Sequence, residues 1–237
     1  CSSLIFQVLT ITATCSLPGS AMVSNTLIKV GKRVAWVLLT LIVMFLLIRG
    51  YQSEQGPALH RWHTWSADEM TADQIDHASF ADYLAREDAI FREMKIEVSD
   101  KLSDEEKTSL NRFYAQSQVY PANFQTNWNR SFVLKPTGTV KGAVVLLHGL
   151  TDSPYSVRYL AQAYQQQGFV AVVPRLPGHG TAPGSLTKVD WKSWLAVTRL
   201  AVREATRLAG TQVPLHLVGY SNGGALAMKY ALDSQQD

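Results

Sequence analysis

At 237 residues the chain has room for one sizeable domain with additions. Its 22 Lys and Arg stand against 19 Asp and Glu, a formal charge of +3, and the basic residues form no long cluster, so nucleic acid and polyanions are not expected partners. Both cysteines, Cys1 and Cys15, precede Ser16, which excludes a disulfide framework or a thiolate metal site from everything after them.

The chain opens on Cys1 and its first methionine is Met22, so residues 1–21 are read as an upstream or non-native segment and residues 22–51 as an N-terminal membrane anchor. From Val34 to Ile48 only Thr40 is polar, with Lys29, Lys32 and Arg33 before the run and Arg49 after it. At 1.5 Å per residue this stretch covers about 23 Å, and Val30 to Tyr51 about 32 Å, against a hydrocarbon layer of roughly 30 Å. Flanking Arg and Lys snorkel to the headgroups, which makes a single span feasible. The alternatives are a cleaved signal peptide and a buried core helix. Ile48-Arg49-Gly50 offers no small-x-small cleavage site, and a core helix would show a polar stripe. The surplus of positive charge before the span places the N-terminus in the cytoplasm and the remainder outside, in the periplasm if the cell is a Gram-negative bacterium.

Residues 52–130 read as a tether followed by a helical cover. Gln52 to Trp65 is polar, with Trp62 and Trp65 free to dock at the membrane interface or on the domain. His60 and His63 form H-x-x-H, but no third ligand accompanies them and no metal is expected. Thr71-Ala72-Asp73-Gln74 is a capping box, and Phe80, Leu84, Phe91, Met94 and Val98 recur at helical spacing, which predicts one amphipathic helix over 72–98. A second box, Ser103 to Glu106, predicts a shorter helix to about Tyr114. Val119 to Arg130 reads as loop, and Ser131 to Lys135 as a strand.

Residues 131–237 alternate strand and helix. Ala143 to Leu147 (AVVLL) and Phe169 to Val173 (FVAVV) are continuous apolar runs, as expected of strands buried on both faces. Between them a helix starts near Pro154 and closes at Gly168. Asp190 caps a helix from Trp191 to about Ala209, and Leu215 to Gly219 is the next strand. The order predicts an α/β fold with a doubly wound, mostly parallel sheet. His216, inside a strand, is expected to be packed. The last strand runs into Gly219-Tyr220-Ser221-Asn222-Gly223, the G-x-S-x-G pattern of a sharp strand-to-helix turn that exposes a serine hydroxyl. Glycines two positions either side leave room for strand and helix to approach.

Three stretches in this order, LLHGLTDSP, GFVAVVPRLPGHGT and LVGYSNGGAL, resemble the α/β-hydrolase superfamily, in particular its monoglyceride lipase, lysophospholipase and carboxylesterase branch. Trp62 to Thr64, Asp82-Tyr83-Leu84 and Asn129-Arg130-Ser131 further resemble bacterial membrane-anchored members. The resemblance implies Ser221 as nucleophile and the backbone amides of Leu150 and Asn222 as the oxyanion hole, with His148, Gly149, Gly219 and Gly223 as supporting motif residues. It implies a small-molecule or lipid ester as substrate and no cofactor, while the apolar run itself implies membrane association through residues 34–48. HGL in place of HGGG points away from the hormone-sensitive lipase pattern, and serine at the turn points away from dehalogenases.

The fold orders its triad Ser, then Asp or Glu, then His along the chain. His148 and His179 both precede Ser221 and are read as a turn-stabilising residue and as loop structure or pocket wall. Past Ser221 the acids are Asp233 and Asp237, and no histidine follows. The expectation is therefore an N-terminal part of a larger hydrolase, inactive by itself, that cleaves carboxylic esters through an acyl-enzyme. The rival expectations are a membrane-anchored scaffold that keeps the fold for binding, and a serine peptidase or acyltransferase of the same superfamily.

Overall fold

The computed structural model describes residues 20–235 apart from Pro57, with side chains from Leu27 onward. Cys1, Cys15 and Asp237 lie outside the described residues, as does the reading of residues 1–21 except for its last two positions, which are helical. Two compact units follow, Cys1–Ala58 and Leu59–Asp237.

The first unit contains helix α1, Ser20–Glu54. Its stretch Leu27–Glu54 is long and apolar enough to cross a membrane, and none of it is buried in protein. Length, composition and exposure fit a span or a signal sequence alike. The helix also takes in Gln52 to Glu54, which the sequence reading assigned to the tether.

The second unit begins with the one-turn helix α2, Arg61–Thr64. Trp62 stacks on Phe113 with ring centroids 5.4 Å apart, and with Trp65 it joins the apolar cluster of Val98, Leu102, Phe113 and Ala182. Both tryptophans thus pack on their own unit. Helices α3, Ala72–His77, and α4, Phe80–Glu97, replace the single helix expected over 72–98. The break has a local cause. Ser79 is itself an N-cap, accepting from the Asp82 amide while the Asp82 carboxylate accepts from the Ser79 amide, and this reciprocal box restarts the helix after extended Ala78. The box at Ser103 closes only one tight turn, Asp104–Glu106, and no helix reaches Tyr114.

Strands β1, Phe132–Leu134, and β2, Gly142–Leu147, lead to helix α5, Arg158–Gln166, and strand β3, Phe169–Val173. Helix α6, Trp191–Ala209, strand β4, Leu215–Gly219, and helix α7, Asn222–Asp233, complete the series. The sheet order is β1-β3-β2-β4, with β1 antiparallel to β3 and the other pairs parallel. This is the mostly parallel sheet expected from the strand–helix alternation. It also explains the unbroken apolar runs. Ala143, Val145 and Leu147 face α6 and α7, while Val144 and Leu146 face the α5 side, so every residue of β2 is buried. Ile75, Phe80 and Tyr83 join the first of these cores, so the cover helices share the main apolar interior.

Strand β4 differs from expectation. Leu215 and His216 are exposed, and β2 is the only strand paired with β4 among the described residues. His216 therefore rests at the sheet margin, edge-on to Tyr164 and tilted against Phe169, and is not enclosed.

The glycines of the turn after β4 answer to a contact between backbones. A Cβ on Gly223 would lie 2.2 Å from the Leu147 carbonyl oxygen, and one on Gly219 would lie 2.1 Å from the Gly223 carbonyl oxygen. Neither neighbour is a movable side-chain end. Gly223→Ala is expected to destabilise the unit by about 3 kcal/mol or more, measured by chemical denaturation of the detergent-solubilised chain. The neighbouring Gly224→Ala, whose nearest contact is at 3.3 Å, should cost far less.

Candidate functional site

Parallel β2, β3 and β4 end on one edge of the sheet, and the candidate residues gather there. Ser221 lies two residues past the end of β4 and holds φ 52°, ψ −114°, a left-handed region that a side chain rarely adopts. Its side chain is exposed, and its hydroxyl makes no hydrogen bond to a described residue. The strain is sustained from both sides. The Tyr220 amide donates to the Leu147 carbonyl at 3.0 Å, and the Gly224 and Ala225 amides donate to the Ser221 carbonyl at 2.9 and 3.2 Å. A serine between a strand bond and a helical turn has no slack in which to relax.

The loop after β2 meets this turn. A Cβ on Gly149 would sit 3.6 Å from the Ser221 Cβ and 3.1 Å from the Tyr220 ring, which brings His148-Gly149-Leu150 alongside Ser221. The amides of Leu150 and Asn222 donate no hydrogen bond to any described residue. The Asn222 side-chain nitrogen is also buried without a partner. Thr151, with φ 61°, is the only non-glycine besides Ser221 in the left-handed region among the described residues. Sequence reading missed it, since nothing in Thr-Asp-Ser-Pro demands such a conformation. Strained residues on both loops at one sheet edge are a pattern common to functional sites.

His148 and His179 are buried together in the loops after β2 and β3. His148 is fully buried, its Nδ1 is 2.9 Å from the Gly149 carbonyl, and its Nε2 accepts from the Leu176 amide at 3.1 Å. It ties the loop after β2 to the loop after β3. His179 is buried edge-on to the His148 ring, with Nδ1 3.0 Å from the Pro177 carbonyl and Nε2 unpartnered. Burial lowers the His148 pKa to about 4, against the pull of the Gly149 carbonyl and with help from His179. Burial lowers His179 as well.

The loop after β3 is anchored by a charge cluster that the sequence did not announce. Arg175 is fully buried and forks onto Glu69 at 2.8 and 2.9 Å, donates from Nε to Glu87 at 3.1 Å, and reaches the His179 carbonyl at 3.0 Å. Glu69 also accepts from the Gly178 amide at 2.7 Å, and Glu87 accepts from the Ser131 amide and hydroxyl at 2.9 and 2.6 Å. Burial would raise the Glu69 carboxyl, but the charge and hydrogen bonds of Arg175, then Gly178, hold it below the usual carboxylate value. The Tyr83 hydroxyl donates to the Arg175 carbonyl at 2.6 Å, and burial pushes that phenol well above its usual pKa. The one signal available was Glu87. It occupies the buried face of α4 with Phe80, Tyr83, Ile90 and Phe91, where a carboxylate has to find a cation.

Among the described residues no group of three His, Cys, Asp or Glu could hold a metal. His60 is 2.5 Å from the Glu106 carboxylate, and the amide of His60 donates to His63 Nδ1 at 3.2 Å, so the H-x-x-H pair caps local structure.

Residues 138–237 match the family described as Hydrolase_4: Serine aminopeptidase, S33. The thermostable monoacylglycerol lipase of Bacillus sp. (strain H-257) is 33% identical over 88 residues, 37% of this chain and 34% of the relative. Among solved structures, one described as belonging to LipS and LipT, two metagenome-derived lipolytic enzymes, is 28% identical, with a TM-score of 0.39 over 46% of this chain and 42% of that one. Ferulic acid-bound Est1E from Butyrivibrio proteoclasticus is 18% identical, with a TM-score of 0.39 over 45% of this chain and 44% of its own. Residues 138–237 are thus similar to this hydrolase family and, over 88 residues, to a lipase. The chain spans about a third of the length of the curated relative it matches.

The depressed His148 pKa carries a stability consequence with a definite sign. Between about 4 and the ordinary 6.5 the unfolded chain binds a proton that the folded chain refuses, so stability is full above pH 6.5 and falls with acidification towards pH 4. The loss from this group is expected to total about 3 kcal/mol, read from denaturation curves across that range. His148→Asn should lower stability at neutral pH and flatten the slope between pH 6.5 and 4.

Proposed function

We propose that this chain carries the nucleophilic half of a serine hydrolase that cleaves carboxylic esters, with monoacylglycerol or lysophospholipid as the substrate class. The observation that supports it most is the exposed Ser221, held at φ 52°, with the Leu150 and Asn222 amides lacking an acceptor among the described residues. In this reading Ser221 Oγ attacks the carbonyl carbon and a histidine takes its proton. The Leu150 and Asn222 amides receive the tetrahedral oxyanion, and the amides of α7's first turn add a favourable potential. Collapse expels the alcohol, which takes up that proton, and leaves an acyl group on Ser221; water then releases the acid. His148, with both ring nitrogens committed to the loops after β2 and β3, and His179, packed against it with Nδ1 on the Pro177 carbonyl, are assigned positioning roles. The general base is not among the described neighbours of the Ser221 hydroxyl.

In the same reading α1 is an uncleaved anchor, with Lys29, Lys32 and Arg33 on the cytoplasmic side and residues 59–237 outside. Residues 52–130 then serve as tether and cover, and residues 131–237 as the first half of the catalytic domain. A membrane tether suits a lipid-derived ester, which partitions into the bilayer. The similarity to a monoacylglycerol lipase supports the ester class, while the description of the matching family keeps an amide substrate as the second reading.

Both readings meet in one assay on the full-length protein in membranes, with a monoacylglycerol, a p-nitrophenyl ester and an aminoacyl anilide as substrates. Ester hydrolysis that exceeds anilide hydrolysis, and that drops by at least about 10⁴-fold in Ser221→Ala, is the expected result. Anilide turnover above ester turnover replaces the esterase with a peptidase. Undiminished activity in Ser221→Ala removes the serine mechanism.

A further inference from the structure

We propose that a cavity of about 610 Å³, walled by Arg112, Arg158, Phe124, Trp128, Tyr155 and Tyr159, binds an organic oxyanion: a phosphate or carboxylate head carried on an apolar body. Its volume falls within the roughly 300–1000 Å³ of small-molecule sites. It shares no residue with Ser221, Leu150 or Asn222, so the inference goes beyond the hydrolase reading.

The charge pattern comes first. Arg86, Arg130, Arg175, Arg199 and Arg207 each lie within ion-pair distance of a carboxylate, whereas Arg112 and Arg158, like Arg61, Arg92 and Arg203, have no carboxylate partner among the described residues, and of these five only Arg112 and Arg158 share this cavity. Arg158 lies over the Tyr155 ring at 3.5 Å and the Tyr159 ring at 4.1 Å, and its Nη1 donates to the Tyr155 carbonyl at 2.6 Å. The stacking fixes the guanidinium plane and leaves its other N–H groups to spare. Arg112 makes a single long bond to the Gly180 carbonyl, at 3.3 Å. The Arg112 side chain is exposed at the cavity wall, and partial desolvation lowers its pKa with no carboxylate beside it to oppose the shift. Two unpaired guanidiniums on one cavity suit an oxyanion, which accepts forked hydrogen bonds.

The rest of the wall is apolar and ring-bearing. Phe124, Tyr155 and Tyr159 are all exposed, an arrangement that lacks a structural purpose but would cover a ligand's hydrocarbon. The cavity also has a fixed place. Tyr155 and Arg158 follow the loop after β2, and Asn129, another lining residue, accepts from the Ser153 hydroxyl at 2.8 Å. The site therefore borders the same sheet edge as Ser221.

The test is calorimetric titration of the full chain in phosphatidylcholine nanodiscs with phenyl phosphate, 4-phenylbutyrate, phenol and inorganic phosphate. One of the two ring-bearing anions should bind at least about tenfold tighter than phenol and than inorganic phosphate, and the tighter of the two identifies the head. Arg112→Gln and Arg158→Gln should each weaken it about tenfold, with far-ultraviolet circular dichroism unchanged. If Arg112→Gln misfolds, Arg112→Lys and the Arg158 variant decide, with the lysine keeping part of the affinity. Binding should persist in Ser221→Ala, which separates failure here from failure of the esterase reading. Phenol binding as tightly as both anions, no saturable binding of either, or unchanged affinity in folded Arg158→Gln overturns the proposal.

Discussion

One constraint organises the site: the backbones of β2, β4 and α7 come so close that no side chain fits between them. Gly223 lies against the Leu147 carbonyl and Gly219 against the Gly223 carbonyl. With the helix start pressed onto the strand ends, the chain between them must turn within two residues, and Ser221 takes the left-handed conformation that closes this turn. Such a conformation costs on the order of 1–3 kcal/mol and persists only where its surroundings over-determine it. Here a sheet bond on one side and helical bonds on the other supply that determination. The same packing brings Gly149 beside Ser221 and leaves the Asn222 amide at the start of α7 without an acceptor among the described residues, so the elements of the site follow from one close contact.

A second constraint holds the neighbouring loops. Arg175 connects Glu69 and Glu87, from before and within α4, to the loop after β3, while His148 connects that loop to the one after β2. Burying a charge cluster of this kind is a poor route to stability, because desolvation opposes most of the attraction, but removal of any one member leaves an uncompensated charge. Its evident effect is geometric. The cover segment cannot leave the sheet edge without exposing or stranding Arg175, so loops that would otherwise be mobile are fixed relative to Ser221. Rigid support from surrounding residues is what preorganised acyl-transfer chemistry requires.

Much of this was legible in the residues. Unbroken apolar runs at 143–147 and 169–173 identified central strands because both faces of a parallel sheet are covered, and Asp190 and Thr71 marked helix starts through capping chemistry that acts within one turn. What failed was of two kinds. The helix over 72–98 was read through Ser79 because apolar spacing continues across it, although its capping box resets the backbone. Arg175 and Glu69 stayed invisible because their partners are remote in sequence, the Arg175–Glu69 contact spanning 106 positions, and Thr151 because nothing in its local sequence demands a left-handed backbone. Period and propensity report on neighbours along the chain, and a charge cluster is a property of the folded neighbourhood.

The central claim is that Ser221 is an acylatable nucleophile by virtue of its position at this turn. The most direct measurement is peptide mass spectrometry of the full-length protein after treatment with a fluorophosphonate. The account predicts a single adduct on the peptide bearing Ser221, absent when the protein is first denatured. Folded protein that remains unlabelled at Ser221, or that carries its adduct on another serine, would contradict it.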